Sequence, residues 1–184
     1  MAAGVGLLRT GNLLMVACCA LYLAWWSLAF NPLWDCPMWA KVVGFVCTLA
    51  AGVAGVTQLV GGIGEVGTDW VTYAIVAAGV VAYAVLLALT SRLLHRQVTT
   101  ELALICAWAA MELCVVRALW VAGALGPVST VVLAVATVAA AAIGLVCYLA
   151  YYELDPVPAF VDGMVPLALC GAVSALAAAL VALA

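Results

Sequence analysis

Charge is what this 184-residue chain has least of. Five Lys and Arg and eight Asp and Glu make up 7% of it and leave a net charge of −3. A soluble domain carries roughly 25% charged residues, because its surface must be solvated by water. Here 71% of residues are hydrophobic and the mean hydropathy is +1.36, so the few ionisable side chains cannot clothe a globule. Other absences narrow the function. There is no basic run, which excludes nucleic acid as a partner. The single histidine, His95, rules out a bis-histidine haem or a histidine metal cage within one chain, and no metal or cofactor is expected. No Cys-x-x-Cys occurs among the eight cysteines, and only Cys36 falls outside the apolar stretches. The cysteines therefore read as small buried hydrophobes rather than as a disulfide framework. No Ser-His-acid set is visible, so no catalytic residue is nominated. No linker or low-complexity stretch marks a second domain.

What is present is apolar sequence in lengths that match a bilayer. A span needs about 20 mostly apolar residues, and six segments qualify: 12–30, 40–62, 70–92, 101–125, 128–152 and 163–183. The alternation of a lipid-facing β-barrel is absent. The expected fold class is an all-α integral membrane protein, a compact bundle of about six transmembrane helices with short loops, forming one domain over 1–184. The expected setting is the plasma membrane, with the lipid bilayer as the main partner. The first segment reads as a true span and not a removable signal peptide, because Arg9 is its only flanking cation and no small-x-small site follows. Positive residues in short loops favour the cytoplasm. Lys41, Arg92 and Arg96 then lie inside and Arg9 outside, so both termini are expected outside.

One phrase recurs. "YLAWWSLAFNP" runs from Tyr22 to Pro32 and "YLAYYELDP" from Tyr148 to Pro156. The first and fifth spans run the same way under either threading, so both phrases close at one membrane face. Tyr and Trp favour that interface because an apolar ring carries one polar atom that seeks water. Pro32 and Pro156 are expected to stop the helices. Interface chemistry explains the repeat better than duplication of a hairpin.

Within the spans, only Glu112 and Arg117 are ionisable and deep, at an insertion cost of about 2.5–3.5 kcal/mol each. Glu112 follows Glu101 by about 16 Å of helix axis, near the midplane. Glu101, Trp108 and Glu112 recur at helical spacing and should share a face that looks into the bundle. Arg117 is set about 140° around the helix from Glu112, a poor pairing angle, and is expected to snorkel or to pair with another helix. Gln58, Thr130 and Thr137 are the remaining intramembrane polar groups of interest. Thr137 and Tyr148 belong to one small, partly polar stripe with Ala141 and Gly144. Gly44, Ala51, Gly55 and Gly62 make a second small-residue stripe, expected to let another helix approach closely. "GGIGEVGTD", Gly61 to Asp69, reads as a hinge or tight connection, and Glu153, Asp155 and Asp162 as a solvated connector.

These residues support a transporter or channel for a small solute or ion, with Glu112, Arg117, Glu101, Trp108, Gln58, Thr137 and Tyr148 as translocation or ligand-binding candidates. The alternative is a non-catalytic membrane subunit or binding protein, with a second copy or partner membrane subunits bound. A membrane enzyme acting on lipid or quinone ranks last, for want of candidate residues.

Overall fold

A computed structural model describes residues 2–93 and 100–183. The described chain is all-helical, with no strand: α1 (Ala2–Ala29), α2 (Met38–Val66), α3 (Trp70–Leu93), α4 (Thr100–Val121), α5 (Pro127–Tyr151), α6 (Pro156–Asp162) and α7 (Val165–Leu183). Six helical stretches are long and apolar enough to cross a bilayer, the last combining α6 and α7 as Pro156–Leu183. His95, Arg96 and the connection around them lie outside the described residues.

Among the departures of the helix limits from the sequence reading, which include an α4 that ends at Val121 rather than at 125, three have a clear local reason. α1 begins at Ala2, ten residues before the expected span, because no proline interrupts Ala2–Gly11 and Gly4 and Gly11 pack on α2. Pro156 opens α6 as its first residue, where a missing N–H costs nothing, whereas α5 has already ended at Tyr151. The glycine-rich Gly61–Gly64 segment is helix rather than connection, and the turn waits for Gly67, whose φ of 103° suits a residue without Cβ.

α1 and α2 form an antiparallel hairpin whose seam seats large side chains on glycines. A Cβ added to Gly62 would stand 2.8 Å from Leu8, one on Gly11 2.6 Å from Leu59, and one on Gly55 2.9 Å from Met15 Sδ. Cys18 covers Gly52 and Trp25 covers Gly44. The expected glycine stripe is thus a packing face, with Gly52 in the seam where the sequence reading had Ala51. α7 packs on α1, with Gly171 beside Cys19, and on α5. α4 touches α2, α3, α5, α1 and α7, so it is the central helix, and it contributes seven buried residues, more than any other. Among the described residues α3 packs on α4 alone.

The bundle has two distinct ends. Ala2, Gly67–Asp69, the α4–α5 turn and Leu183 share one, here called the terminal end. At the other the two recurring phrases meet: Trp26 and Tyr151 rings are 6.3 Å apart, and Trp26 Nε1 donates to the Phe160 carbonyl at 3.1 Å. Trp25, Phe30, Phe45, Tyr148 and Tyr152 extend this aromatic end. Leu8, Leu59, Val115, Leu119, Leu133 and Ala177 form a fully buried apolar core, and all of them lie in the half nearer the terminal end.

Candidate functional site

Among the described residues, four polar side chains have no exposed surface at all: Asn12, Glu112, Thr137 and Ser174. Each comes from a different helix, α1, α4, α5 and α7. Inter-helix contacts set their levels: Gly144 of α5 meets Ile105 of α4 and Pro166 of α7, which brings Thr137 level with Glu112 and Ser174, whereas Gly171 and Gly163 of α7 meet Cys19 and Trp26 of α1, which leaves Asn12 about 6 Å nearer the terminal end. Three helices that pack together thus bring Glu112, Thr137 and Ser174 to one level of an otherwise apolar interior, with Asn12 about a turn away. Directly on its terminal side lies the apolar core, so this level is sealed from that end by close-packed side chains.

The hydrogen bonding of the layer is incomplete. Asn12 Nδ2 donates to the Leu8 carbonyl at 2.9 Å, and Thr137 Oγ1 donates to the Leu133 carbonyl at 2.9 Å; both bonds run back along the residue's own helix. That leaves Asn12 Oδ1, both Glu112 carboxyl oxygens and Ser174 Oγ buried without a hydrogen-bond partner. Ser174 faces Glu112 closely enough to influence its carboxyl, although the pair falls short of full hydrogen-bond geometry. One turn back along α4 the Trp108 Nε1 is also buried and unpartnered. Cys19 of α1 and Cys170 of α7 lie within electrostatic reach of Glu112 on the side toward the aromatic end. All eight cysteines are free thiols, and among the described residues no group of three or more His, Cys, Asp or Glu is placed to hold a metal.

The residues nominated from the sequence separate here. Glu112 and Thr137 share the layer, Trp108 adjoins it, and Gln58 stands half-buried on α2 at a depth of about 12 Å from the same end. Glu101 does not join them. It sits exposed in the first turn of α4, although the adjacent Leu102 is fully buried, so the expected common face with Glu112 is buried only further along the helix. Tyr148 belongs to the aromatic end, where it stacks edge-on to Tyr152 at 5.7 Å.

Arg117 is likewise absent from the site. Its Nε donates to Asp69 Oδ2 at 3.0 Å and its Nη2 donates to the same oxygen. The other Asp69 oxygen accepts from the Thr72 backbone N–H at 2.9 Å and from Thr72 Oγ1 at 3.0 Å, which makes Asp69 the N-cap of α3. The Arg117 guanidinium, with the Thr72 N–H, holds the Asp69 carboxyl down at about 2. This clasp fixes α3, which has no other helix to lean on, to the central helix. At the opposite, aromatic end the exposed Asp35 accepts from Lys41 Nζ at 2.7 Å, which lowers its affinity for protons.

Asn12 and Ser174 were not legible as site residues. Each is a lone neutral polar residue in an apolar run, and Asn12 sat at the edge of the expected first span. Only the extension of α1 back to Ala2 moves it to mid-bundle depth. A usable signal existed in α7, where Cys170, Ser174, Ala177 and Ala178 recur at helical spacing on one face. No protein family, no curated protein and no solved structure matches this chain, so the geometry alone carries the functional argument.

Proposed function

We propose that the chain is a multi-pass protein of the plasma membrane that moves a small solute or ion, with Glu112 as the carboxylate whose protonation changes during the cycle. The single observation that carries this reading is the fully buried, unpartnered Glu112 carboxyl at a level where two further helices each present a buried polar side chain, with Asn12 of a third about a turn away. A carboxyl that served only to hold helices together would be expected to show its partner, because buried polar groups are nearly always bonded. Glu112 shows none, although the groups around it are close. Neutral when protonated, it suits an apolar interior. Once ionised it needs a counter-charge or water there, and the affinity of the site for a cargo is thereby linked to the proton.

Access follows from the packing. The terminal side of the layer is closed by Leu8, Val115, Leu119 and Ala177, whereas toward the aromatic end the neighbours are Cys19, Cys170 and Trp108. Lys41 and Arg92 belong to the aromatic end, which makes that end cytoplasmic by the positive-inside preference and puts both termini outside. An impermeant thiol reagent on intact cells should then reach Thr68→Cys and not Asp155→Cys, and the reverse pattern would invert the orientation.

Reconstitution tests the function. Glu112→Gln keeps the size and bonding capacity of the side chain and cannot exchange a proton. In proteoliposomes this variant should lose pH-driven flux while retaining the melting temperature of the parent. Glu112→Leu should lose flux as well, and strand Ser174 at a cost of about 1–3 kcal/mol. Undiminished flux in the Gln variant would end the reading. A second reading, a subunit of a larger membrane assembly, draws on the gap between α2 and α3, a groove of about 480 Å³ lined by Val60, Ile63, Val76, Val80 and Ala107. Chains that copurify stoichiometrically and lock onto this groove in cross-linking would favour it.

A further inference from the structure

The chemistry of the buried layer is one-sided. The Thr137 hydroxyl proton is already committed to the Leu133 carbonyl of its own helix. What remains at this level is oxygen: the two Glu112 oxygens, the Ser174 hydroxyl and the lone pairs of Thr137. With Glu112 ionised, Ser174 holds the one uncommitted donor proton among these three residues. An anion would meet a carboxylate and acceptors, and a neutral acceptor would find one hydroxyl. A cation would find up to four oxygens.

The charge and the ligand type narrow the class further. One carboxylate neutralises one positive charge. The nearest acidic group on the same helix, Glu101, is about 16 Å away along the axis. A divalent ion, which is bound by several carboxylates or retained water, is therefore poorly matched. Soft metals are matched no better: oxygen is the wrong ligand, and Cys19 and Cys170 do not assemble with Glu112 into a metal-holding group. Arg117, the other deep cation on α4, is occupied by Asp69 and leaves the Glu112 charge unanswered.

We infer that Glu112, Thr137 and Ser174 form an oxygen-lined binding site for a small monovalent cation, an alkali ion or ammonium, enclosed at mid-bundle. This inference deepens the transport reading by naming the class of cargo or coupling ion, and it rests on that reading only for its role, not for the site itself.

Thermal unfolding of the purified protein in detergent tests it. Melting is followed in sodium, potassium or ammonium chloride against N-methylglucamine chloride at equal ionic strength, since that bulky cation cannot enter an enclosed site. At least one of the three small cations should raise the melting temperature saturably by a few degrees, as a ligand of the folded state must. Ser174→Ala removes one ligand and should raise the half-saturating concentration about tenfold. Glu112→Gln should abolish the shift. Equal melting in all four salts would overturn the inference, and so would a shift that survives unchanged in both variants. Should Glu112→Gln fail to fold, the displacement of the curve in Ser174→Ala still decides. Flux that depends on Glu112 in a protein whose melting ignores every cation would overturn this site and keep the transport reading. A cation shift lost in Glu112→Gln, in a protein without flux, would keep the site and overturn transport.

Discussion

Asp69 serves two helices with its two oxygens. One caps the start of α3 and the other receives Arg117 of α4. Its folded-state value of about 2 lies below the roughly 3.9 of an unfolded chain. A depressed carboxyl contributes stability above the unfolded value and loses it as pH falls toward the folded one. The clasp should therefore be at full strength above about pH 4 and fade between about pH 4 and pH 2. Asp69→Asn should lower the melting temperature by a few degrees at neutral pH, and this deficit should shrink steadily as the pH is taken down through that window. A deficit of constant size across the window would show that the amide disturbs the cap and that the ion pair contributes nothing. Glu112 and Arg117 were both legible in the sequence as residues too costly to lie in an apolar span without reason. Their separation into a buried site and a helix clasp was not, because Asp69 lies 48 positions from Arg117 and no local pattern links them.

The α1–α2 hairpin shows what a single element pair reveals before it is seen in three dimensions. Gly44, Gly55 and Gly62 recur at intervals that place them on one face of α2, and their smallness announces a close neighbour. The identity of that neighbour required α1 to begin at Ala2, so that Leu8 could reach Gly62 and Gly11 could admit Leu59. Hydropathy alone could not place that start, since a helix extends past the bilayer wherever packing supports it. Gly55→Leu should cost about 1–3 kcal/mol, because Met15 and the Gly11 carbonyl stand where the new side chain would go. Gly64→Leu makes the control, for nothing lies within 4 Å of its would-be Cβ. Thermal unfolding of the two variants side by side should separate them clearly. Equal melting would mean that the hairpin does not depend on its glycine seam.

At the scale of the whole molecule the number and order of the long helices were legible from composition and length, since few charges and six apolar runs leave little other choice. The lopsided interior was not. An apolar run looks the same whether it faces lipid or core, so nothing in the sequence foretold that the contiguous core cluster around Leu8, Val115 and Leu133 would crowd into the terminal half, with Leu102 buried apart from it. Nor did it foretell that three helices would each carry one polar residue to the level where that cluster stops. That arrangement is the basis of the account, whose central claim is that Glu112 exchanges a proton within the folded bundle. Infrared difference spectroscopy of the protein in lipid, titrated from about pH 4 to pH 9, observes carboxyl protonation without reference to any cargo. The account predicts a protonated-carboxyl band that disappears as pH rises in the parent and is missing from Glu112→Gln, with the amide bands of the helices unchanged. Titration spectra that are the same for the parent and Glu112→Gln would contradict it.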